Sequence, residues 1–539
     1  MPTAITQFDE IYAVGDSLSD NGGIYQLSSE ALALVVAAFG SAPEGLQPVP
    51  ISPPYDMRFS NGPVLPEYTA ELLGATLQDF AFGAAPAVGS LTFGDLAQTV
   101  IPPDVLAAIL TVPGVPEIFN HDISLTGQLA DLTAALTANP PSPSEDTALV
   151  SLIGLNDFLS LQGSYNPDDP NSAAIIAAQV QQLIPEVIAA NHTAAVTAFN
   201  LGIDTVIYET LPAATFFPVT NPLPGDLQLL GDQAIDAVNA GLVADAQALQ
   251  QQGFDVRVVD TAGMADEIAA DPGTFGFLNF EVPWSLGNGI TFEPNLPLSA
   301  LEYTAFFDPL HPTTNLHGVL GVFAAESLTS NVIFGAGIDN ITVTAGGDLV
   351  LTGAQNDTVR LGDGDDILLA GLGNDTAEGG RGNDLMSGGS GDDTLSGNNG
   401  SDVVVGNAGN DIMNGDSGND ALIDGLGSDV ANGGNGNDLF FAIQPQLLGG
   451  SSITDVDFFN GGAGDDTLVV RLDPNFLAAE QTNVQQNFHA GQTFTLASMN
   501  LTITGIEHIV LTTDPLLTEV NVDGALAARL HEADLFGFV

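Results

Sequence analysis

The chain has 539 residues, with 67 Asp and Glu set against six Arg and no Lys, which gives a formal net charge of −61. Phosphate contacts need Lys and Arg in numbers, so this balance excludes nucleic acid and anionic membrane surfaces as electrostatic partners. A hydrophobic share of 45% with only 14% charged residues equally excludes an acidic disordered chain, and it supplies material for more than one core. Cysteine is absent, so disulfides, thiolate metal sites and a cysteine nucleophile fall away and covalent catalysis is left to serine. The opening stretch MPTAITQFDEIYAVG lacks the basic and apolar parts of a secretory leader. No transmembrane segment is expected, because the best apolar run, 175–190, is broken by Pro185 and Glu186.

From residue 8 to 328 short apolar runs alternate with helical stretches, the pattern of an α/β layer structure on a mainly parallel sheet. Strands are expected at 8–14, 148–153, 204–209 and 254–259. Helices are expected at 172–200 and 232–252, where apolar residues recur at helical spacing among Ala, Leu and Gln. The Pro-rich pieces 47–54 and 140–144 read as loops.

The first strand runs into Gly15-Asp16-Ser17-Leu18, which places a serine hydroxyl at the carboxyl end of a strand, where open α/β sheets carry their ligands. Far downstream stands Asp308-Pro309-Leu310-His311. A nucleophilic serine needs a base, and His is the side chain able to take its proton near neutral pH. A carboxylate on the other ring nitrogen would fix the tautomer, and Asp308, three residues before His311, fits that place. His317 reads as structural, in the first turns of a following helix. Between these blocks, Gly154-Leu155-Asn156-Asp157 follows an apolar strand, so the Asn156 amide is a candidate oxyanion donor; the bland alternative is a strand-ending turn. Asp79 to Ala85 could bring a backbone N–H to the same point, from Gly83 or Ala84; a plain turn glycine is the equal alternative.

From about residue 331 the character changes. Aspartates recur every nine residues from Asp339 to Asp438, each followed two residues later by an apolar side chain, and GGAGDDTLV at 461–469 adds one more unit. A flexible Gly/Asn/Asp linker has no reason to keep an apolar residue in phase with an Asp, so the period marks a solenoid. The glycines allow tight turns, and the carboxylates of Asp357, Asp366, Asp375, Asp384, Asp393, Asp402, Asp411, Asp420, Asp429 and Asp438 are hard oxygen ligands of the kind Ca²⁺ prefers. Residues 471–539 read as a β-rich tail.

The four blocks of the first part resemble the GDSL or SGNH hydrolase family, and the nonapeptides resemble RTX calcium-binding repeats. The first resemblance implies a flavodoxin-like three-layer α/β/α hydrolase domain at 8–328. Its expected activity is that of a serine esterase or lipase with the triad Ser17, His311 and Asp308, an oxyanion hole from Gly83 and Asn156, and no catalytic metal or organic cofactor. One departure is that Asp79 and Ala84 stand where the family's glycine block commonly has Asn and Gly. The second resemblance implies a calcium-filled parallel β-roll at 331–470, interrupted at 441–460, then a C-terminal region at 471–539 with a type I secretion signal. Expected partners are an ester substrate and the bacterial type I secretion machinery, and the expected location is extracellular. The apolar, Pro-bearing insertion 92–146 favours an acyl-chain-bearing ester. The rival readings are a calcium-dependent surface or adhesion protein with a vestigial hydrolase, and, within enzymes, a phospholipase or haemolysin or a carbohydrate O-deacetylase.

Overall fold

The computed structural model describes residues 8–16, 18–20, 23–39, 41–42, 63–82, 85–98, 101–142, 144–162, 165–169, 171–220, 223–270, 272–275, 277, 283, 304–306, 311–335, 340–444, 456–513 and 524–535. The expected loop at 47–54 lies outside them. Two compact units emerge: residues 1–269 with 279–328, and residues 270–278 with 329–539.

The first unit is built on a parallel sheet of β1 (Glu10–Gly15), β2 (Thr76–Asp79), β3 (Thr147–Leu152), β4 (Thr205–Glu209) and β5 (Asp255–Val259), in the order β2-β1-β3-β4-β5. That is the flavodoxin-like order. Strands β3 and β4 are buried along their whole length, which is why they read as continuous apolar runs rather than alternating ones. The edge strand β2, TLQD, is half exposed and carries no apolar pattern, so it is invisible in the sequence.

Eleven helices among the described residues accompany the sheet. They are α1 (Gly23–Phe39), α2 (Leu65–Leu72), α3 (Phe93–Gln98), α4 (Pro103–Ile109), α5 (Val115–Phe119), α6 (Leu125–Ala138), α7 (Leu155–Gln162), α8 (Ser172–Leu201), α9 (Gly225–Gln251), α10 (Thr261–Ala270) and α11 (Thr314–Thr329). The insertion 92–146 folds as α3 to α6, and the first three pack with α1 into a small apolar core around Phe93, Val115 and Phe119. Helix α8 continues through Pro185, in keeping with the single helix expected at 172–200. Among the described residues it alone is long and apolar enough to cross a membrane, yet it packs on the sheet and on α9. Buried Asn191 accepts from Ser151 Oγ at 2.8 Å, and Tyr208 donates to Asp245 at 2.9 Å, so polar rivets tie α8 to β3 and β4 to α9.

In the second unit successive short strands alternate between two nine-stranded sheets, so one coil consumes two nonapeptides, or eighteen residues. The apolar residue of each unit points inward. Val359, Leu368, Met386, Leu395, Val404, Met413, Leu422 and Phe440 form one continuous core. Parallel register is unbroken across the interruption, because Val430 pairs with Phe458 and Leu439 with Thr467. The coils also run past residue 470: strands Leu501–Thr504 and His508–Thr512 extend the two sheets in turn. The tail is therefore β-containing as expected, but it also holds two helices that were not anticipated, α12 (Pro474–Asn487) and α13 (Gly524–Leu535).

The outer faces of the two sheets differ. In the first, Leu385, Ser387, Val403 and Val405 are buried, while in the second Thr376 and Glu378 are exposed. Helix α13 packs against the strand Val403–Ala408 of the first sheet, and the 3-10 turn Pro272–Phe275 packs against that strand and Leu385–Ser390.

Coil stacking explains the glycine at the fourth position of the full unit. At Gly382, φ is +131°, and a Cβ would lie 1.7 Å from the carbonyl oxygen of Gly364 one coil below. Gly382→Ala is expected to destabilise the roll by about 1–3 kcal/mol, measured as a lowered midpoint for the second unit in calcium-containing buffer.

Candidate active site and calcium-binding rows

Ser17, Gly83 and Asp308 lie outside the described residues, so the site is read from their neighbours. Strand β1 ends at Gly15, where a Cβ would meet Ser19 Oγ at 2.6 Å and the carbonyl oxygen of Leu152 at 2.8 Å. Only glycine fits there. Asp16 then organises a tight turn: its carbonyl accepts from Ser19 N at 3.1 Å and Asp20 N at 3.0 Å, and its Oδ1 accepts from Leu18 N at 3.1 Å. Gln128 on α6 holds the strand end, accepting from Gly15 N and donating to Gly15 O, both at 2.8 Å. No motif in the sequence marks Gln128; only its burial in the fold reveals it.

On the glycine-block side, Phe80 N and Phe82 N donate to Ala13 O and Gly15 O, carrying the chain after β2 along the end of β1. Asp79, in the place of the usual Asn, accepts from Ala81 N at 2.8 Å. Asn156 opens α7 just beyond β3, at the turn made by Gly154, whose φ is +131° and whose Cβ would press to 2.7 Å from Val187 Cγ1. The Asn156 amide donates to Ala85 O at 3.4 Å, which leaves its second N–H for another acceptor. Asp157 accepts from Ala87 N at 2.7 Å and Val88 N at 3.1 Å, stapling the glycine block to α7. Burial pushes the Asp157 carboxyl up to about 6 against those two bonds.

His311 is buried next to Pro312, which bridges to Phe306, and Thr313 N donates to Ala305 O at 2.8 Å. The Asp16 carboxyl is pushed up to about 7, chiefly by burial. The Leu18 N–H and the charge of His311 act in the opposite direction, and Asp157 adds to the rise. Asp16, Asp157 and His311 therefore share one neighbourhood at the carboxyl edge of the sheet, together with Asn156. His317, in the first turn of α11, accepts from Leu65 N through Nδ1 at 3.2 Å, and burial with nearby His311 pushes its pKa down to about 3. It is a neutral tie between α2 and α11.

At the end of β4 sits Glu209, fully buried with neither carboxyl oxygen hydrogen-bonded among the described residues. Burial pushes its pKa up to about 8. A folded-state pKa above the unfolded value means that the folded form keeps the proton longer. The protonated acid is tolerated below about pH 4, and stability falls as pH rises towards 8. Glu209→Gln is expected to remove that loss, raising stability at pH 8 by roughly a few kcal/mol relative to pH 4, read from urea melts at both pH values.

In the second unit the aspartates form two rows. Asp348, Asp366, Asp384, Asp402, Asp420, Asp438 and Asp466 stand in one, and Asp357, Asp375, Asp393, Asp411, Asp429 and Asp457 in the other. Each aspartate N–H donates to Oδ1 of the next aspartate in its row at 2.7–3.1 Å. Two residues outside the repeats cap the first row: Asn331 donates to Asp348 Oδ1 at 2.7 Å, and Glu507 accepts from Asp466 N at 3.0 Å. Neither is legible from the period.

The second oxygens carry the test of fit to calcium. Oδ2 of Asp366, Asp375, Asp384, Asp393, Asp402, Asp411, Asp420 and Asp438 is buried without a hydrogen-bond partner. In six of these units the first glycine lies beside it: a Cβ on Gly379 would come within 2.4 Å of Asp384 Oδ2. Burial pushes these carboxyls up to between about 6 and about 8, so each needs a proton or a cation. Among the described residues no three Asp, Glu or His side chains form a group that could hold a metal ion by themselves. A hard cation here would take its remaining ligands from turn carbonyls and water, which suits Ca²⁺. Arg529 of α13 donates to Asn383 O at 2.6 Å, and its charge lowers the carboxyls of Asp366, Asp384 and Asp402.

Comparison with known proteins agrees with both units. The profile of the GDSL-like lipase/acylhydrolase family matches residues 11–321, and that of the RTX calcium-binding nonapeptide repeat matches segments from 335–368 to 454–476. The thermolabile hemolysin of Vibrio parahaemolyticus is 24% identical over 341 residues, which cover 60% of this chain and 64% of that protein, so the chain spans somewhat under two thirds of its relative. The chain belongs to the GDSL-like lipase/acylhydrolase family and carries RTX calcium-binding repeats behind the hydrolase unit.

Proposed function

We propose that the protein is a secreted serine ester hydrolase in which Ser17, His311 and Asp308 act as a triad. The observation that carries this reading is the convergence of Asp16, His311 and Asn156 at the carboxyl edge of the sheet, each adjoining or belonging to a block that the family match spans. Ser17 Oγ attacks the ester carbonyl while His311 takes its proton, and Asp308 holds the other ring nitrogen. The oxyanion is met by the backbone N–H of Ser17, the N–H of Gly83 and the second N–H of Asn156. Collapse expels the alcohol, protonated by His311, and water then releases the acid from the acyl-enzyme by the same steps. These roles use side chains and backbone of the chain alone.

The resemblance to a hemolysin favours a lipid ester over an acetylated sugar. The aspartate rows would hold structural Ca²⁺ between successive coils, where the ion supplies the positive charge that the buried Oδ2 atoms lack. Because one apolar residue per unit is a thin core, the roll is expected to fold only with calcium. That suits passage of an unfolded chain through type I secretion machinery and folding outside the cell. Ser17→Ala should abolish hydrolysis of short-chain p-nitrophenyl esters with unchanged circular dichroism, and Asn156→Ala should lower kcat by about 10²–10³. Turnover retained by Ser17→Ala would remove the assignment.

A further inference from the structure

The strand that leads into the serine turn loses one of its partners early. Strand β3 accompanies β1 as far as Gly15, opposite Leu152, whereas β2 stops at Asp79, opposite Ala13. Alternate residues of a parallel strand bond to the same neighbour, so Gly15 turns its N–H and C=O to the side that β2 has left. In regular register its N–H would reach the carbonyl of Phe80. It reaches Gln128 Oε1 instead, at 2.8 Å, while Gln128 Nε2 donates to Gly15 O at 2.8 Å and to Ile123 O at 3.2 Å. A side-chain amide has one carbonyl and two N–H bonds; each is engaged here, and the side chain is fully buried. Gln128 stands in for one residue of a missing strand.

The same stretch of chain grips the glycine block. Gly15 O accepts a second bond, from Phe82 N at 3.3 Å, so one carbonyl joins the serine strand, the glycine block and α6. The Phe82 ring meets His121 edge to face, with centroids 5.3 Å apart. Leu125 N, at the start of α6, donates to Pro86 O at 3.1 Å. Gly83 and Ala84 therefore stand in sequence between two residues, Phe82 and Pro86, that are each tied to 121–128. Gly127 permits the close packing of this segment on itself, because a Cβ there would lie 1.8 Å from Asp122 O.

We propose that Gln128 is a positioning residue for the esterase reaction, and that 121–128 is a clamp holding the serine turn and the glycine block at a fixed spacing. Ser17 follows Gly15 by two residues and Gly83 follows Phe82 by one, so both backbone N–H groups assigned to the oxyanion are a short step from the shared Gly15 carbonyl. An error of about 1 Å in such a constellation can cost ~10²-fold in rate. Gln128 touches no substrate; it acts through Gly15 and Phe82. Its part in catalysis rests on the esterase reading, whereas the coupling of the two loops does not.

The test compares the calcium-loaded full chain with Gln128→Met, which keeps the length of the side chain and removes its hydrogen bonds. A second variant, Leu136→Ala, alters the core two turns further along α6 and leaves Gly15 and Phe82 their hydrogen bonds. Gln128→Met should lower kcat for p-nitrophenyl acetate by about tenfold or more with KM within about twofold. In hydrogen exchange, peptides covering 10–18 and 80–88 should both lose protection while those of β4 keep it. Leu136→Ala should lower the melting midpoint as well, yet leave kcat within about twofold of the parent. If Gln128→Met does not fold, His121→Ala decides at a partly exposed side chain: kcat should fall about threefold or more at unchanged KM, and an unchanged kcat overturns the clamp. Unchanged kcat in Gln128→Met, protection lost from 10–18 alone, or an equal loss of kcat in Leu136→Ala also overturns it. Both peptides deprotected by Gln128→Met, in a protein whose turnover survives Ser17→Ala, would leave the clamp standing and remove the esterase reading instead.

Discussion

Scarcity of cations governs this molecule. With six Arg and no Lys for 67 acids, a buried carboxylate rarely finds a charged partner, and an unpaired buried charge is costly. The chain answers with backbone N–H groups. Asp16 takes Leu18 N, Asp157 takes Ala87 N and Val88 N, and each row aspartate after the first in its row takes the N–H of the one before it. In row aspartates such as Asp384 and Asp402 one oxygen is satisfied in this way, and the other is buried without a hydrogen-bond partner. Glu209 lacks even the first, which is why its proton is held so firmly. Arg529 is the exception, a nearly buried guanidinium placed by α13 beside three row aspartates.

The same economy shapes the hydrolase edge. Three consecutive strand ends deliver the Gly15 turn, the Gly154 turn and the Glu209 end, and neutral amides fix the first two: Gln128 grips Gly15, and Asn156 grips Ala85. Glycine is required at both turns because a Cβ would strike Ser19 at one and Val187 at the other. Burial pushes the Asp16 and Asp157 carboxyls up, to about 7 and about 6. The geometry is set by sheet topology and hydrogen bonds between neutral groups.

Much of this was legible in the residues. Buried strands β3 and β4 read directly as apolar runs, the nine-residue period located the row aspartates, and the blocks around Ser17, Asn156 and His311 were recognisable by type and order. What escaped has physical reasons. Strand β2 is an edge of mixed polarity, and Gln128, Asn331 and Glu507 act through contacts distant in sequence. Helix α12 buries little beyond Glu480, so it shows no apolar stripe, although Asp473 followed by Pro474 is a sound start signal. A second period was present and unread: residues flanking the inward position are apolar in Leu385, Val403 and Val405 but polar in Thr376, Glu378 and Thr394, alternating every nine and repeating every eighteen. That longer period marks the sheet whose outer face is covered by α13 and Pro272–Phe275.

If the aspartate rows need an external cation, the amides that knit them should report it. Hydrogen exchange of the intact chain at pH 8, followed by mass spectrometry of peptides covering 357–438, measures this directly. The account predicts slow exchange of the row N–H groups in calcium and loss of that protection with a chelator, while the amides of β1, β3 and β4 stay protected. Equal protection of the rows with and without calcium would contradict it.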